Sequence, residues 1–330
     1  MAEALTATDL PADPTVRGWR RRRSARPAGP APKALTGRRA WVRRAPLMPA
    51  LVYMIIVTQV PFLVTIWYSL RSWNTLTPGS NRWAGLNEYK LVFTDPNFRS
   101  AILNTVVITG SAVILSMLLA TALAILLNRK FFGRGVVRTL LITPFLVMPV
   151  ATALLFKTTV FDPIFGLLDW ILGPFGVHQV NWIGSYATPA VVAVLVWEWT
   201  PFMMLIVLAG LQSESLESLE AARVDGANAI QTFLSITFPH LRRYIELGML
   251  LGSIYVLQTF GEIFVLTQGG GGHGSATTNL PYYIYELAFQ QFNVSEAAAA
   301  GVIVVIGTEI VATITLRLLS GLFAAAEGLA

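Results

Sequence analysis

Three glutamates lie inside long apolar stretches of this sequence of 330 residues, and they are its first candidates for chemistry. Glu198, Glu262 and Glu309 each have mostly apolar neighbours on both sides. Ionisable side chains are costly in apolar surroundings, so those found there usually serve a function or line a polar cavity. Tyr255 and Gln258 lie close to Glu262 in the chain. We expect Glu198, Tyr255, Gln258 and Glu262 to line a path through the molecule. For Glu309 we expect one of two surroundings, a subunit interface or a cation of a partner.

Recognisable residue patterns for catalysis or metal binding are missing from the sequence. It has no cysteine, and His178, His240 and His273 are too far apart to match the spacing of a metal site. It has no nucleophile elbow, and the glycine-rich run Gln268–Ser275 lacks the lysine and the helix of a phosphate-binding loop. We therefore expect a flexible outer loop at this run, and a chain that is not an enzyme and holds no metal or cofactor of its own.

A second polar stretch, Gln212–Tyr244, has the pattern of two short helices joined by a tight turn. Gly226 suits the left-handed conformation that follows a helix end, and Asn228 with Gln231 matches a capping box at the start of the next helix. Pro239 is expected to stop or redirect that helix. The residues leave two interpretations open: a knob that inserts into a cleft of a partner, or an amphipathic hairpin that lies on lipid headgroups. The second helix is expected to carry four apolar side chains on one side: Ile230, Phe233, Leu234 and Phe238.

The composition places these stretches in a membrane protein. Hydrophobic residues make up 54% of the chain and charged residues 13%, compared with about 25% charged in a soluble domain. Buried helices of a large soluble core would leave too few charged residues to cover the exterior. A spanning helix needs about 20 apolar residues, and six stretches are long enough. We predict an all-α polytopic membrane protein with a transmembrane domain over residues 47–323. The six predicted spans are 47–70, 102–127, 136–156, 188–211, 245–266 and 297–319.

The distribution of cations predicts the orientation, because Lys and Arg are retained on the cytoplasmic side of a membrane. With the N-terminus inside, 19 of the 24 cations fall on inner segments and 5 on outer segments. Residues 1–46 hold 11 of them together with several prolines, which predicts a disordered basic cytoplasmic tail. Its expected partner is the anionic inner leaflet rather than nucleic acid. The loop over 213–240 and a short C-terminus over 324–330 are then cytoplasmic as well.

The predicted fifth span combines small and polar residues. Gly248 and Gly252 lie one turn apart, a spacing that allows a neighbouring helix to approach closely. Continued as one helix, the span places Gln258 beside a broad face formed by Gly248, Gly252, Tyr255, Thr259 and Glu262.

The polar stretch also carries a family resemblance. Its residues Glu220-Ala221-Ala222, Asp225-Gly226-Ala227, Phe233, Ile236 and Pro239 resemble, in type and spacing, the EAA loop of permease subunits in binding-protein-dependent ABC importers. The resemblance covers about residues 47–320. Further stretches resemble the carbohydrate-importing branch, of the maltose or glycerol-phosphate type: Trp83–Tyr89, Asn104-Thr105, Pro201-Phe202, Ala209–Gln212, Ala276–Thr278 and Tyr283–Tyr285.

This resemblance implies a type I ABC importer permease fold in the bacterial inner membrane, with both termini cytoplasmic. The implied partners are a second permease in a heterodimer, two copies of a cytoplasmic ATPase that uses ATP and Mg, an extracytoplasmic solute-binding protein, and membrane lipids. Glu220 to Pro239 would form a coupling helix seated in a groove of the ATPase.

The resemblance also bears on the solute, for which it implies a sugar, an oligosaccharide or a sugar alcohol, with glycerol phosphoesters as an alternative. Trp197, Trp199 and Phe260 offer apolar faces that suit a sugar ring. The alternative of a different class is a secondary transporter or a channel that is not coupled to an ATPase.

Overall fold

The computed structural model of the chain describes residues 45–267 and 275–327, the side chains of 311–327 only in part. Its described part consists of helices and one pair of two-residue strands, β1 (Arg71–Ser72) and β2 (Arg82–Trp83), which are antiparallel. The helices are α1 (Met48–Ser69), α2 (Asn87–Thr94), α3 (Pro96–Asn128), α4 (Arg134–Leu146), α5 (Pro149–Leu155), α6 (Leu167–Leu172), α7 (Trp182–Ser185), α8 (Ala187–Gln212), α9 (Leu216–Val224), α10 (Ala229–Thr232), α11 (Phe238–Leu257), α12 (Gly261–Thr267), α13 (Leu280–Tyr285) and α14 (Val294–Glu327).

Several shorter helical turns connect these elements. Three are wide π turns, Phe156–Val160, Phe233–Thr237 and Glu286–Gln290, and two are 3₁₀ turns, Ala45–Leu47 and Gly173–Phe175. The chain divides into two compact units, residues 1–60 and 61–330. The described part of the first unit holds the turn Ala45–Leu47 and the first half of α1, and the second unit holds the other described elements.

The core of the second unit is built on α3 and α8. The Asp95 side chain accepts a hydrogen bond from the Asn97 backbone N–H at 2.9 Å, and Pro96 takes the first helical position, so the start of α3 is well defined. The 33 residues of α3 give a length of about 50 Å, more than the apolar thickness of a bilayer. Helix α3 packs against α8 and α11. A stripe of small residues with a spacing of four is fully buried on α3: Ala112, Ser116, Ala120 and Ala124.

Three helices in the described part are individually long and apolar enough to span a membrane: α1, α3 and α8. Two bent pairs also qualify if each is one span, Arg134–Leu146 with Pro149–Val160 and Ala229–Leu257 with Gly261–Thr267. The predicted sixth span, 297–319, falls within α14, part of whose side chains lie outside the description. The helical membrane fold is therefore confirmed, and the number of six spans stays a prediction.

Two of the predicted spans are not continuous helices. The stretch 136–156 bends by 100° between α4 and α5, because Pro149 restricts Met148 before it to extended backbone. The stretch 245–266 bends by 52° between α11 and α12. At that bend the Asn279 side-chain amide donates to the backbone carbonyl of Thr259, which replaces a helical hydrogen bond.

Two sequence predictions fall largely on residues outside the description. These are the basic tail over 1–46, of which 45 and 46 alone are described, and the flexible loop at the glycine-rich run, of which Ser275 alone is described.

Candidate functional site

The predicted hairpin is present between α8 and α11, and its turn is closed by backbone hydrogen bonds. Gly226 has φ +81° and follows the end of α9. The Ala227 N–H donates to the Ala222 carbonyl at 2.9 Å, and the Gly226 N–H donates to the Arg223 carbonyl at 3.2 Å. This pair of bonds is the Schellman arrangement that a left-handed glycine permits. We call residues 216–239 the coupling hairpin, after the role that the family resemblance implies for them.

The second half of the coupling hairpin begins with the predicted capping box. The Asn228 side-chain oxygen accepts from the backbone N–H groups of Ile230 and Gln231, at 3.0 and 2.9 Å. The Gln231 side-chain oxygen accepts from the Asn228 N–H at 2.9 Å. The turn therefore has a rigid geometry set by residues that are adjacent in sequence.

The prediction that Pro239 stops or redirects the helix is wrong. Helical structure continues from Ala229 to Leu257, through the π turn Phe233–Thr237. Pro239 lies in the first turn of α11, where a missing N–H is tolerated because the widened turn has already interrupted the regular bonding pattern.

The tip of the coupling hairpin is a mixed acidic and apolar surface. Glu220 and Asp225 are exposed, and Val224 and Ile230 are 88% and 71% exposed. Exposed apolar side chains grouped on a polar protein segment usually mark a binding surface. The other predicted coupling residues divide by exposure: Ala221, Gly226 and Pro239 are exposed, Ala227 and Phe233 are half-buried, and Ala222 is buried.

The two long helices that flank the coupling hairpin are hydrogen-bonded to each other at its base. The His240 Nε2 lies 3.0 Å from the Gly210 carbonyl oxygen, and the Ser213 hydroxyl donates to the same oxygen at 2.9 Å. The Tyr244 hydroxyl is 2.7 Å from the Ser213 hydroxyl. These bonds join the end of α8 to the start of α11 at the base of the hairpin.

The four predicted path residues form two separate pairs. Glu198 and Glu262 are 3% and 4% exposed, and their carboxyl groups lie beside each other. Tyr255 and Gln258 are exposed at the end of α11. The single broad face predicted from Gly248 to Glu262 is wrong, because the bend after α11 separates Glu262 from Tyr255.

Tyr255 belongs to an aromatic cluster on three helices. Its ring stacks on Trp199 with centroids 5.2 Å apart and planes at 16°, and it meets Phe202 edge-on at 6.0 Å. Phe145 of α4 stacks on Phe202 at 5.3 Å. Sequence reasoning found Trp199 and Tyr255 but missed Phe145 and Phe202, although Phe202 lies in the Pro201-Phe202 motif. The other two predicted aromatic residues are half-buried and belong to other contacts, Trp197 with Phe156 and Phe260 with Tyr282.

Gly248 and Gly252 allow two methionine side chains to approach α11. A Cβ at Gly248 would lie 2.7 Å from the Met117 methyl carbon of α3, and a Cβ at Gly252 would overlap the Met203 methyl carbon of α8. The prediction of a close contact at these glycines is confirmed, since both are buried against neighbouring helices. Glu309 is exposed on α14.

Comparison with known proteins identifies the family. The family described as "Binding-protein-dependent transport system inner membrane component" matches residues 112–323. The chain belongs to this family of permeases. The match includes the coupling hairpin and all four path residues.

Relatives of the permease extend the similarity over most of the chain. It is 37% identical over 261 residues to a probable ABC transporter permease of Sinorhizobium fredii, which covers 78% of this chain and 84% of the relative. It is 33% identical over 272 residues to the trehalose/maltose transport system permease MalF of Thermococcus litoralis, over 82% of this chain and 90% of the relative. A solved bacterial ABC transporter for the acidic polysaccharide alginate shares the fold, with a TM-score of 0.72 at 22% identity, over 86% of this chain and 96% of that one.

Two sequence motifs of the permease that are far apart in the chain contact each other. The Asn104 side-chain amide donates to the carbonyls of Ser275 and Thr278, both at 3.0 Å. The Thr105 hydroxyl accepts from the Leu280 N–H at 2.9 Å. Asn104 and Thr105 therefore hold the segment that leads into α13, which in turn supplies Asn279 to the bend between α11 and α12.

A cluster of acidic groups lies where α2, α3, α13 and α14 meet. The Tyr283 hydroxyl donates to Asp95 at 2.6 Å, and the Asn293 amide donates to Glu296 at 2.6 Å. Burial raises the pKa of Glu88, against the opposing effect of a hydrogen bond from Ser72. Burial also raises the pKa of Glu296, and the neighbouring charges of Glu88 and Asp95 add to this. The surroundings of Glu88 and Glu296 therefore favour the protonated form of these two carboxyl groups in the folded state.

Proposed function

We propose that the permease is one of two membrane subunits of an ATP-driven carbohydrate importer, and that its coupling hairpin docks on a cytoplasmic ATPase. The observation that carries the proposal is the coupling hairpin itself, with a rigid turn, an exposed tip and a direct connection to α8 and α11. A hairpin that merely lay on lipid headgroups would not need this connection to two long helices. Two copies of the ATPase, a second permease and a solute-binding protein complete the assembly.

The charge distribution supports a cytoplasmic location for the coupling hairpin. Of the 24 Lys and Arg residues, 19 lie on the segments that share its side of the membrane when the N-terminus is inside. ATP is on that side, so a cytoplasmic hairpin would be accessible to an ATPase. Closure of the ATPase pair on ATP and Mg would move the hairpin and switch the path between inward-open and outward-open.

The relatives and the aromatic cluster support a carbohydrate as the solute. The relative from Thermococcus litoralis is named for trehalose and maltose, and a relative from Streptococcus mutans is named as a multiple sugar-binding transport system permease. Tyr255 and Trp199 offer flat apolar surfaces at the end of α11, and sugar rings stack on such surfaces. We assign Tyr255 and Gln258 to the solute path. To the buried Glu198 and Glu262 we assign a structural role, in which they hold α12 against α8 next to the solute path.

Transport and ATP hydrolysis in proteoliposomes test the coupling role. The complete importer, with either Gly226→Pro or Glu220→Lys in this permease, should insert normally and hydrolyse ATP but accumulate little solute. The matched control is Arg82→Glu, an exposed charge reversal in β2 outside the coupling hairpin, which should retain coupling. Normal uptake by both hairpin variants would contradict the proposal, and so would labelling that places Asp225 on the external surface.

Retention of the ATPase tests the docking role separately. Deletion of residues 213–240 should abolish co-purification of the ATPase while the second permease is retained. If the ATPase stays bound, the coupling hairpin is not its docking site. A thermal-shift screen of sugars, sugar alcohols and glycerol phosphoesters on the cognate solute-binding protein then identifies the solute class.

A further inference from the structure

The turn between α3 and α4 carries four cations and no acid. Arg129, Lys130, Arg134 and Arg138 lie within ten residues, and the sequence has no carboxylate between Asp95 and Asp162. Arg134 is half-buried, and the side chains of the other three cations are exposed. Within the described residues, none of these four side chains forms an ion pair or hydrogen bond. Their charge is therefore not balanced by any ion pair with the described residues around them.

Two of these cations lie in the first turns of α4, where their charge adds to the partial positive charge of the helix N-terminus. Gly133, with φ +82°, precedes α4 and provides no side-chain cap, and the first turn of α4 has no acidic residue. Arg134 takes the first helical position, and Arg138 follows one turn later. The N-terminus of a helix carries partial positive charge, so cations there are unfavourable unless an anion is bound nearby.

An apolar cavity lies directly beside the cations. It has a volume of about 440 Å³, within the range of about 300–1,000 Å³ found for small-molecule sites. Leu126 and Leu127 of α3 and Val137 and Leu141 of α4 line it, together with Arg129 and Lys130. Leu126 and Val137 are 56% and 39% exposed, so the cavity opens to the surroundings of the helices.

Two phenylalanines next to the cations are also exposed. Phe131 is 43% exposed and lines the cavity, and Phe132 projects fully from the turn. Exposed apolar rings beside cations are typical of segments that lie at the boundary between lipid tails and headgroups.

We propose that this site, formed by Arg129, Lys130 and Arg134 around the cavity between α3 and α4, binds one anionic phospholipid. The cations and the N-terminus of α4 hold the phosphate, and an acyl chain fills the cavity. A free phosphate would leave the cavity unused, and an acidic protein surface would use the cations alone. An anionic phospholipid matches both parts. The proposed orientation of the chain decides only which leaflet supplies the lipid. With the N-terminus inside, it is the inner leaflet, where anionic lipids attract basic segments.

The absence of cysteine from the sequence makes a site-specific measurement possible. A single cysteine at Leu126, labelled with a fluorophore, reports on the cavity in the complete transporter reconstituted in nanodiscs. The probes are phosphatidylglycerol and phosphatidylcholine with brominated acyl chains, which quench on contact. We expect phosphatidylglycerol to quench at a concentration about tenfold or more below that of phosphatidylcholine, given about 1 kcal/mol per basic residue.

Three variants test the location of the lipid site. Arg129→Gln with Lys130→Gln should bring the two lipids to nearly equal quenching. Arg82→Gln with Lys90→Gln, which removes two exposed cations from the segment before α3, should leave the preference unchanged. Val137→Trp should reduce quenching by both lipids, because its side chain fills the cavity.

The competing occupants give different results, and each would overturn the proposal. Equal quenching by the two lipids in the unmodified protein would show that the site does not select an anionic lipid. Loss of the preference on adding millimolar inorganic phosphate would identify a free-phosphate site. Loss of ATPase co-purification in the Arg129→Gln, Lys130→Gln variant would identify a protein-docking surface. These readouts need no transport, so a failure here is distinguishable from a failure of the proposed import function.

Discussion

His240 and Gly210 join the two helices that flank the coupling hairpin. The His240 Nε2 lies 3.0 Å from the Gly210 carbonyl oxygen, next to the hydrogen-bonded pair Ser213 and Tyr244. A Cβ at Gly210 would lie 2.6 Å from the Tyr244 ring and 2.9 Å from Leu241. The contact between α8 and α11 at the base of the hairpin therefore requires a glycine. We infer that this contact transmits the motion of the hairpin to the helices.

Gly210→Ala should separate the two helices at this point. We expect a loss of about 1–3 kcal/mol in the free energy of unfolding, because the new methyl group overpacks a closed interface. Solute uptake per ATP hydrolysed should fall as well. The control is Gly110→Ala on α3, where a Cβ meets open space and stability should be kept or slightly raised. Equal behaviour of the two variants in thermal unfolding and in transport would contradict the role of this contact.

Two substitutions of Gly226 should show whether ATPase binding depends on the left-handed backbone conformation at this position. Its φ of +81° is costly for alanine, by about 1 kcal/mol or more, whereas asparagine tolerates this conformation better. Nothing lies within 4 Å of a Cβ at this position, so neither side chain clashes. Gly226→Asn should therefore retain more ATPase binding than Gly226→Ala, as measured by co-purification. The reverse order would show that the left-handed turn is not what presents the docking surface.

Tyr255 should act through its ring rather than through its hydroxyl group. Tyr255→Ala removes the stacking partner of Trp199 at an exposed position, so uptake should fall by about tenfold while thermal stability changes little. Tyr255→Phe should retain uptake. The matched control is Tyr186→Ala, which is 52% exposed and lies outside the aromatic cluster of Tyr255. If Tyr255→Phe is as defective as Tyr255→Ala, the hydroxyl group is what the solute requires.

The carboxyl pair of Glu198 and Glu262 should tolerate an amide but not an apolar side chain. Glu198→Gln can donate a hydrogen bond to Glu262, so we expect a small change in thermal stability. Glu198→Leu leaves Glu262 buried without this partner and should cost about 1–3 kcal/mol. Thermal unfolding of the purified importer checks both. Equal stability of the two variants would show that the carboxyl pair does not hold α12 against α8.

The stability of the permease should depend on pH through Glu88. Burial raises the pKa of its carboxyl group in the folded state, so the folded state binds a proton more tightly than the unfolded state. The free energy of unfolding therefore falls as the pH rises above the unfolded pKa and through the raised one. Glu88→Gln removes this effect, so its stability gain should be larger at about pH 8 than at about pH 5. Thermal unfolding at both pH values measures it, with the exposed Glu217→Gln as the control for introducing an amide. A gain independent of pH would contradict the role of Glu88.

The sequence by itself determined the features that depend on near neighbours in the chain. Gly226 closes α9, and Asn228 with Gln231 opens α10, because each of these bonds joins residues that are at most five positions apart. The membrane class follows from composition alone, since apolar length is a property of each segment separately. The projecting tip of the coupling hairpin was likewise predictable, because the polar residues that form it are close together in the chain.

The tertiary structure decided what depends on distant contacts. The bend after α11 exists where Asn279, twenty residues away, supplies a hydrogen bond to Thr259, so a continuous helical face could not be extended to Glu262. Likewise, Glu198 meets Glu262 because α12 packs against α8, and no local pattern encodes that distance. Pro239 is accommodated because a π turn precedes it, a backbone adjustment that the proline rule does not foresee. Local hydrogen bonds are specified by spacing in the chain, whereas the meeting of two helices depends on the packing of the whole core.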